Sequence, residues 1–245
     1  MKKGLALFAV MIILVGFSFA GDINFYGGLK GLFNSIKIKY KDSSVENKIN
    51  LSSLSFGGKI EVDEIYYFSL YVGLTSAKFS EPVIFDNLPF SIKFPSDTQR
   101  GYYVNLNFHT YPFEIKGIEF GMGINVGMFM LKNSQWDIQL PIVSGMFDSD
   151  INSYDFNFNF LAKGEIFNGF YLYGGPSFLK IFGNIKGTEQ INNDLTGEEN
   201  KNFSNKKLMG FLVGFDYEVE DYLMISTEIR LINSYGLMVS LNYIF

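Results

Sequence analysis

The stretch IEFGMGINVGMFML, residues 118–131, decides the fold of this chain. Its even positions are all large and apolar, whereas its odd positions are Glu119, Gly121, Gly123, Asn125, Gly127, Phe129 and Leu131. Strict alternation with period two is typical of a β-strand that has one apolar face and one polar or small face. The same pattern recurs at 52–63, 100–113 and 154–167, and no helical stripe accompanies it. The sequence therefore predicts an all-β protein.

The alternation predicts antiparallel strands joined by connections of two kinds. Asn168-Gly169, a strong hairpin signal, is typical of the short connections. Long loops are predicted at 41–50, 80–99, 132–153 and 183–206, so that short and long connections fall at opposite ends of the sheet. The predicted strands lie at 23–40, 51–63, 66–79, 100–113, 118–131, 154–167, 170–182, 207–219, 222–232 and 235–245.

Alternation alone fits two architectures. A soluble sandwich or lipocalin-like barrel turns the apolar face inward, whereas a transmembrane barrel turns it outward to lipid. Runs such as 66–79 exceed the ~5–6 residues of ordinary strands and suit the ~9–11 residues of a tilted membrane strand. In run 23–40 the apolar parity changes after Asn34, which predicts either a bulge or a strand that rises above the bilayer.

Aromatic residues near the short turns also favour the membrane barrel, because rings of this kind form girdles at membrane–water boundaries. We expect the girdle at this end to include Phe25, Tyr26, Tyr66, Tyr67, Tyr111, Phe113, Phe167, Phe170, Tyr217, Tyr222, Tyr243 and Phe245.

The composition narrows the range of functions. The chain has 20 Lys and Arg against 25 Asp and Glu without a basic run, which does not predict a nucleic-acid partner. It contains no Cys, which excludes disulfides and thiolate chemistry, and no cofactor or metal is predicted. The single histidine, His109, falls on the inward parity near the short-turn end. Since this placement suits no catalytic base of a known barrel enzyme, we expect no enzymatic activity.

The first twenty residues have the features of a secretory signal peptide. Lys2 and Lys3 precede an apolar stretch at 5–17 that ends in Ser18-Phe19-Ala20. The stretch falls short of the ~20 residues of a spanning helix. We therefore expect cleavage near Ala20, with residues 1–20 as signal peptide and 21–245 as the barrel domain.

The last strand alternates through Leu241 and Tyr243 to a terminal Phe245. This ending resembles the assembly signal of Gram-negative outer-membrane β-barrel proteins, and the chain is similar in pattern to small barrels of the OmpA, OmpX and OmpW kind. The resemblance implies an up-and-down barrel in the cell outer membrane, with short periplasmic turns, long extracellular loops, surrounding lipid and insertion by the barrel-assembly machinery. Small barrels of this kind commonly have eight strands, so the predicted ten depart from them and eight remains the alternative.

Charged side chains on the inward parity suggest two kinds of interior. A narrow water-filled conduit would use an acidic mouth to favour cations, whereas a closed interior would pair its acids with lysine and arginine. Ten strands lie nearer the closed end of the size range, so we favour a mostly filled interior. The candidates for the lumen and its periplasmic mouth are Lys59, Glu61, Asp63, Glu119, Lys163, Glu165, Glu218 and Arg230.

The long loops 80–99 and 132–153 are unusually apolar for exposed segments and could bind a partner or a small hydrophobic molecule. Binding of small hydrophobic molecules is associated with OmpW-like barrels, which this chain resembles. The favoured alternative is that they extend the strands and pack on each other. The loop 183–206 is acidic and predicts a solvated surface. We expect a structural or surface-interaction barrel, with a narrow porin-like pore or transporter for small ions or small hydrophobic molecules as alternative. The loop candidates are Phe85, Phe90, Phe94, Trp136 and Phe147.

Overall fold

The computed structural model describes residues 23–41, 45–63, 65–88, 92–94, 98–139, 144–192, 194–219 and 222–245, so the predicted signal peptide lies outside the described residues. None of the described residues belongs to a helix long and apolar enough to cross a membrane. The strands found in this part of the chain are β1 (Ile23–Tyr40), β2 (Glu46–Val62), β3 (Tyr66–Phe79), β4 (Val83–Phe85), β5 (Ile92–Phe94), β6 (Gln99–Ile115), β7 (Ile118–Gln139), β8 (Ser144–Phe167), β9 (Phe170–Ile191), β10 (Asp194–Asn205), β11 (Met209–Val219), β12 (Leu223–Leu231) and β13 (Tyr235–Ile244).

Ten antiparallel strands close into a ring in the order β1, β2, β3, β6, β7, β8, β9, β11, β12 and β13. The ring closes where β1 pairs with β13, from Tyr26 opposite Ile244 to Ser35 opposite Tyr235. The short turns lie at the end that holds Phe245, which is the periplasmic end in the layout of outer-membrane barrels. The predicted ten-stranded up-and-down barrel is therefore confirmed.

The periplasmic half of the ring turns its apolar side chains outward. Phe33, Leu54 and Leu74 are 60%, 65% and 66% exposed on neighbouring strands, and Phe120 on β7 is 40% exposed. A continuous outward band of this kind is stable only against hydrocarbon. The soluble alternative is excluded, because in a lipocalin-like barrel these side chains would fill the interior.

The inside and the outside exchange character above the band. Strand β1 pairs with β2 without interruption from Ile23 opposite Val62 to Lys39 opposite Glu46, so the predicted bulge near Asn34 is wrong. The parity stays constant while the surroundings change: Ile36 lies fully buried inside and Lys37 is exposed outside. The other expectation, a strand that rises above the bilayer, is the one this register supports. The stretch 23–33 matches the ~9–11 residues that cross a membrane.

The upper part of the barrel, which we call the collar, is a narrower ring of β1, β2, β3, β6, β7, β8, β9 and β10. Strand β10 pairs with β9 on one side and with the top of β1 on the other, from Ile38 opposite Asn205 to Tyr40 opposite Phe203. The prediction of a solvated loop at 183–206 is wrong. Glu198 and Asn202 are exposed, whereas Glu189, Glu199 and Phe203 are buried inside together with alternate positions of β9.

The hairpin of β12 and β13 stops below the collar. The Asn233 N–H donates to the Leu231 carbonyl at 3.1 Å, which closes a γ-turn around Ile232 with φ of 78°. Since a β-branched residue rarely adopts this conformation, the turn is strained. The barrel wall is therefore low on this side, and β10 continues it upward.

An apolar core fills the collar, and the segment after β3 covers it. The cap hairpin, β4 with β5, buries Phe85 against Phe147 with ring centroids 5.3 Å apart. The Asn87 N–H donates to Glu199 Oε2 at 2.9 Å, and the Asn47 amide donates to the Glu81 carbonyl at 2.9 Å. These contacts fix the cap to β10 and β2. Other core members include Ile38, Ile49, Phe79, Tyr103, Phe129, Ile151, Leu179, Ile181 and Ile185.

Candidate functional site

A polar chamber of about 480 Å³ occupies the periplasmic half of the barrel interior. The inward positions of all ten ring strands reach it, because period two delivers every second side chain to the lumen. Its walls carry the cations Lys30, Lys59, Lys163 and Arg230. They also carry the acids Glu61, Glu119, Asp216, Glu218 and Glu228, so that the two signs nearly balance.

One side of the chamber is organised around Lys59. Its Nζ lies 4.4 Å from the ring centroid of Tyr26 and 4.5 Å from that of Tyr67. The same ammonium is 3.3 Å from Glu61 Oε2, and the Tyr26 hydroxyl donates to that oxygen at 2.8 Å. Two aromatic faces and a carboxylate therefore hold one cation.

Lys163 forms a second cluster of the same kind. Its Nζ is 3.6 Å from Glu119 Oε2 and 4.6 Å from the ring centroid of Tyr171. The ring centroids of Tyr111 and Tyr67 lie at 5.5 and 5.7 Å, so Tyr67 stands between the two lysines. The two clusters together pair two of the chamber acids, Glu61 and Glu119, with lysine.

Paired polar groups close the chamber at the end away from the periplasm. Lys30 Nζ donates to Asn105 Oδ1 at 2.8 Å, and Arg230 Nε donates to Glu228 Oε1 at 2.7 Å. Asn125 also donates to Asn107. Further from the mouth, the rings of Tyr103 and Phe129 stack with centroids 4.4 Å apart, and both are buried. In the part of the chain that the structure describes, these groups separate the chamber from the collar core.

Six of the predicted lumen and mouth residues line the chamber, namely Lys59, Glu61, Glu119, Lys163, Glu218 and Arg230. Two others lie at the rim. Asp63 is exposed in the turn after β2, and Glu165 accepts the Gly169 N–H at 3.1 Å. Whether any of these residues binds a ligand stays a prediction.

Sequence reasoning missed the tyrosines of the chamber. Tyr26, Tyr67 and Tyr111 were expected in the lipid-facing girdle, but their side chains point inward. Parity could have found them, since Tyr26 shares the inward register of Lys30, and Tyr67 is the direct cross-strand neighbour of Glu61. Tyr243 and Phe245 do lie outside, 48% and 82% exposed, with their ring centroids 5.2 Å apart.

His109 lines the chamber on β6, as its parity predicts. Its imidazole lies over Gly123 of β7, where an added Cβ would stand 2.7 Å from His109 Cδ2. The glycine therefore makes the room that the ring occupies. Among the described residues, no group of three His, Asp or Glu side chains could hold a metal ion.

The five loop candidates do not form one exposed patch in the described part of the chain. Phe85 and Phe147 are buried beneath the cap. Phe90 lies outside the described residues, whereas the backbones of Phe94 and Trp136 belong to β5 and β7. Their use by a ligand stays a prediction.

The closed ring, the outward apolar band and the one-sided turns together define a transmembrane β-barrel, the architecture of integral proteins of the Gram-negative outer membrane. Among solved structures, the chain is similar to the translocator domain of the autotransporter NalP from Neisseria meningitidis, with 9% identity, a TM-score of 0.45 and coverage of 100% of this chain and 96% of that one. It is also similar to the outer membrane protease OmpT from Escherichia coli, with 10% identity, a TM-score of 0.43 and coverage of 93% and 98%.

A third similar structure is Ail, the attachment invasion locus protein of Yersinia pestis, with 12% identity, a TM-score of 0.33 and coverage of 91% and 99%. No family model matches the chain, and no curated protein matches it in sequence. At these identities the likeness concerns the barrel shape and assigns no function to this chain.

Proposed function

We propose that this protein is a closed structural barrel that presents its collar and cap as an ordered surface outside the cell. The filled collar carries the proposal. A conduit needs a continuous aqueous path, whereas Tyr103, Phe129 and Phe147 belong to the apolar core of the collar and are 2% exposed or less. Eight strands leave room only for side chains, which is the size of the collar ring.

The cap supports the surface role, because it is anchored by specific contacts. Glu199 accepts from both nitrogens of Asn87, at 2.9 and 3.4 Å, and forms an ion pair with Lys201 at 2.8 Å. Lys201 in turn lies 5.8 Å from the ring centroid of Phe85. A segment held in this way has a defined shape, as recognition by a partner requires.

Planar-bilayer conductance tests the closed interior. The refolded wild-type protein should produce no discrete current steps at either polarity. As a matched variant, Glu199→Ala combined with Asn47→Ala releases the cap, because it removes the acceptor of the Asn87 N–H and the donor to the Glu81 carbonyl, while the apolar side chains of the collar core are unchanged. Steps from the wild-type protein would overturn the proposal, and silence from both proteins is the result we expect.

Cysteine labelling tests the surface role, because the chain contains no natural Cys. Asp194→Cys places a thiol at the exposed start of β10, and Asn168→Cys places one in the turn between β8 and β9. A membrane-impermeant maleimide should label Asp194→Cys on intact cells and Asn168→Cys only after permeabilisation. The reverse pattern would refute the proposed orientation.

A gated conduit is the second candidate, and the chamber itself favours it, because a charged aqueous volume already reaches half of the interior. In that function the cap would move to admit small ions or small hydrophobic molecules past Phe85. Steps that occur with the released-cap variant and not with the wild-type protein would support this candidate over the closed barrel.

Export and insertion complete the proposal. Residues 1–20 would act as a signal peptide that is cleaved near Ala20, and the exposed Tyr243 and Phe245 would present the last strand to the barrel-assembly machinery. No reaction is assigned to His109. Removal of Phe245 should lower the amount of heat-modifiable barrel in the outer membrane, with Phe113→Ala on the same rim as control.

A further inference from the structure

The outer surface of the collar carries a row of cations directly above the lipid-facing band. The row consists of Lys37, Lys48, Lys78 and Arg100, one from each of the neighbouring strands β1, β2, β3 and β6. All four are exposed and lie on the outward parity. The ends of the row are three strand spacings apart across the sheet and four residues apart along the strands, since Lys78 lies opposite Asn50 and Arg100 opposite Ser76, which gives a distance of ~20 Å.

The row brings like charges together. Lys37 and Lys48 are direct cross-strand neighbours, and such a pair is destabilising unless an anion lies between them. Glu46 is the one acid at the outward collar positions described on these four strands, and Lys206 holds it at 2.6 Å. The hydrogen bond from Lys206, with the charges of Lys37 and Lys39, holds the pKa of the Glu46 carboxyl below its usual value. A chain with a net charge of −5 thus concentrates positive charge on one face.

An apolar groove of about 590 Å³ lies beside this row at the top of the band. Phe33 of β1 and Tyr235 and Leu237 of β13 line it, and Lys78 of the cation row lines it from β3. Phe33 and Tyr235 are 60% and 66% exposed, so the groove is open to lipid. Cations above and apolar side chains below match the two parts of an anionic lipid.

We propose that this face binds a multiply phosphorylated glycolipid of the outer leaflet, with its phosphates on the cation row and its acyl chains in the groove. Cations spread over four strands match a headgroup that carries more than one phosphate better than a headgroup with one. The side chains of the cation row lie on the outer surface of the barrel, so lipid binding by the row does not depend on whether the interior conducts.

Native mass spectrometry of the refolded chain in zwitterionic detergent tests the site, with bis-phosphorylated lipid A as probe. Lys37→Gln combined with Lys48→Gln should weaken binding about 30-fold. The matched control, Lys116→Gln combined with Lys186→Gln, removes two cations away from the row and should bind within twofold of the wild type. Lipid A without its phosphates should bind wild type and row variant equally weakly.

Equal binding of the row variant and the wild type would overturn the proposal. Phosphatidylglycerol binding as tightly as lipid A would also overturn it, because a single phosphate would then suffice. The melting temperature gives a second test, because the effect of Lys48→Gln on it should have opposite signs with and without lipid A. In phosphatidylcholine vesicles Lys48→Gln should raise the melting temperature, since it removes repulsion from Lys37, whereas with lipid A present it should lower the melting temperature. The same sign in both vesicles would contradict the site.

Discussion

The exchange of inside and outside above the bilayer can be tested on two adjacent residues of β1. Ile36 is 0% exposed within the collar core, whereas Lys37 points outward into water. Ile36→Ala removes three carbon groups, a transfer loss of ~2.4 kcal/mol at about 0.8 kcal/mol each. A cavity of some tens of Å³ adds about 1–2 kcal/mol. We expect a total loss of about 3–4 kcal/mol in the free energy of unfolding.

Lys37→Ala is the matched control, because it alters the next residue of the same strand at the same height. We expect its free energy of unfolding to stay within about 0.5 kcal/mol of wild type, since it removes a surface side chain. The assay is urea unfolding in phosphatidylcholine vesicles, followed by heat-modifiable migration and by fluorescence. The reasoning is refuted if Ile36→Ala loses less than about 1 kcal/mol or if Lys37→Ala loses as much.

Three further predictions concern the chamber and the collar. Lys59→Met should cost about 2 kcal/mol, because it removes the cation that two tyrosine rings hold and that pairs with Glu61; urea midpoints equal to wild type would contradict this. Gly123→Ala should cost about 1–3 kcal/mol through its clash with His109, and His109→Ala should restore most of that loss; strict additivity of the two changes would contradict the contact. Burial raises the pKa of the Tyr40 phenol in the collar. The contribution of the neutral phenol to the free energy of unfolding is therefore complete below pH ~10 and declines as the pH rises further. Tyr40→Phe should reduce this decline in alkaline unfolding curves.

Period two was sufficient to predict the ring. Residues 118–131 form a strand whose even side chains point outward, as predicted, and ten strands close the barrel. Alternation reports which residues share a face and does not report the medium that the face meets. Ile36 and Lys37 show the consequence: they keep the parity of Leu32 and Phe33, but outside the collar is water and inside is core. The shift of the apolar residues to the other parity after Asn34 therefore suggested a bulge that the strand does not have.

The candidate site could be predicted only in part. Inward parity identified Lys59 and Lys163 correctly as chamber residues, because charge on the lipid face is costly. The tyrosines around them were assigned to the girdle because they lie near the turns. Closeness to a turn fixes the position of a residue along the barrel axis and does not fix the direction of its side chain. Tyr67 shows that orientation must come from register, since it faces inward while its neighbour Tyr66 shares the other parity.

Strand β10 lies between β9 and the top of β1, so the barrel closes along two seams, one between β1 and β13 and one between β1 and β10. Strand β1 pairs with β13 inside the bilayer and with β10 above it, so the aqueous cylinder is complete without the last three strands. Fraying of the upper seam exposes backbone groups to water, which solvates them. Opening of the lower seam would leave N–H and C=O groups of β1 and β13 in hydrocarbon, at several kcal/mol for each group. The two seams therefore differ in tolerance: β13 must pair with β1 along its whole length, whereas the short pairing of β10 with β1 can open at a lower cost in free energy.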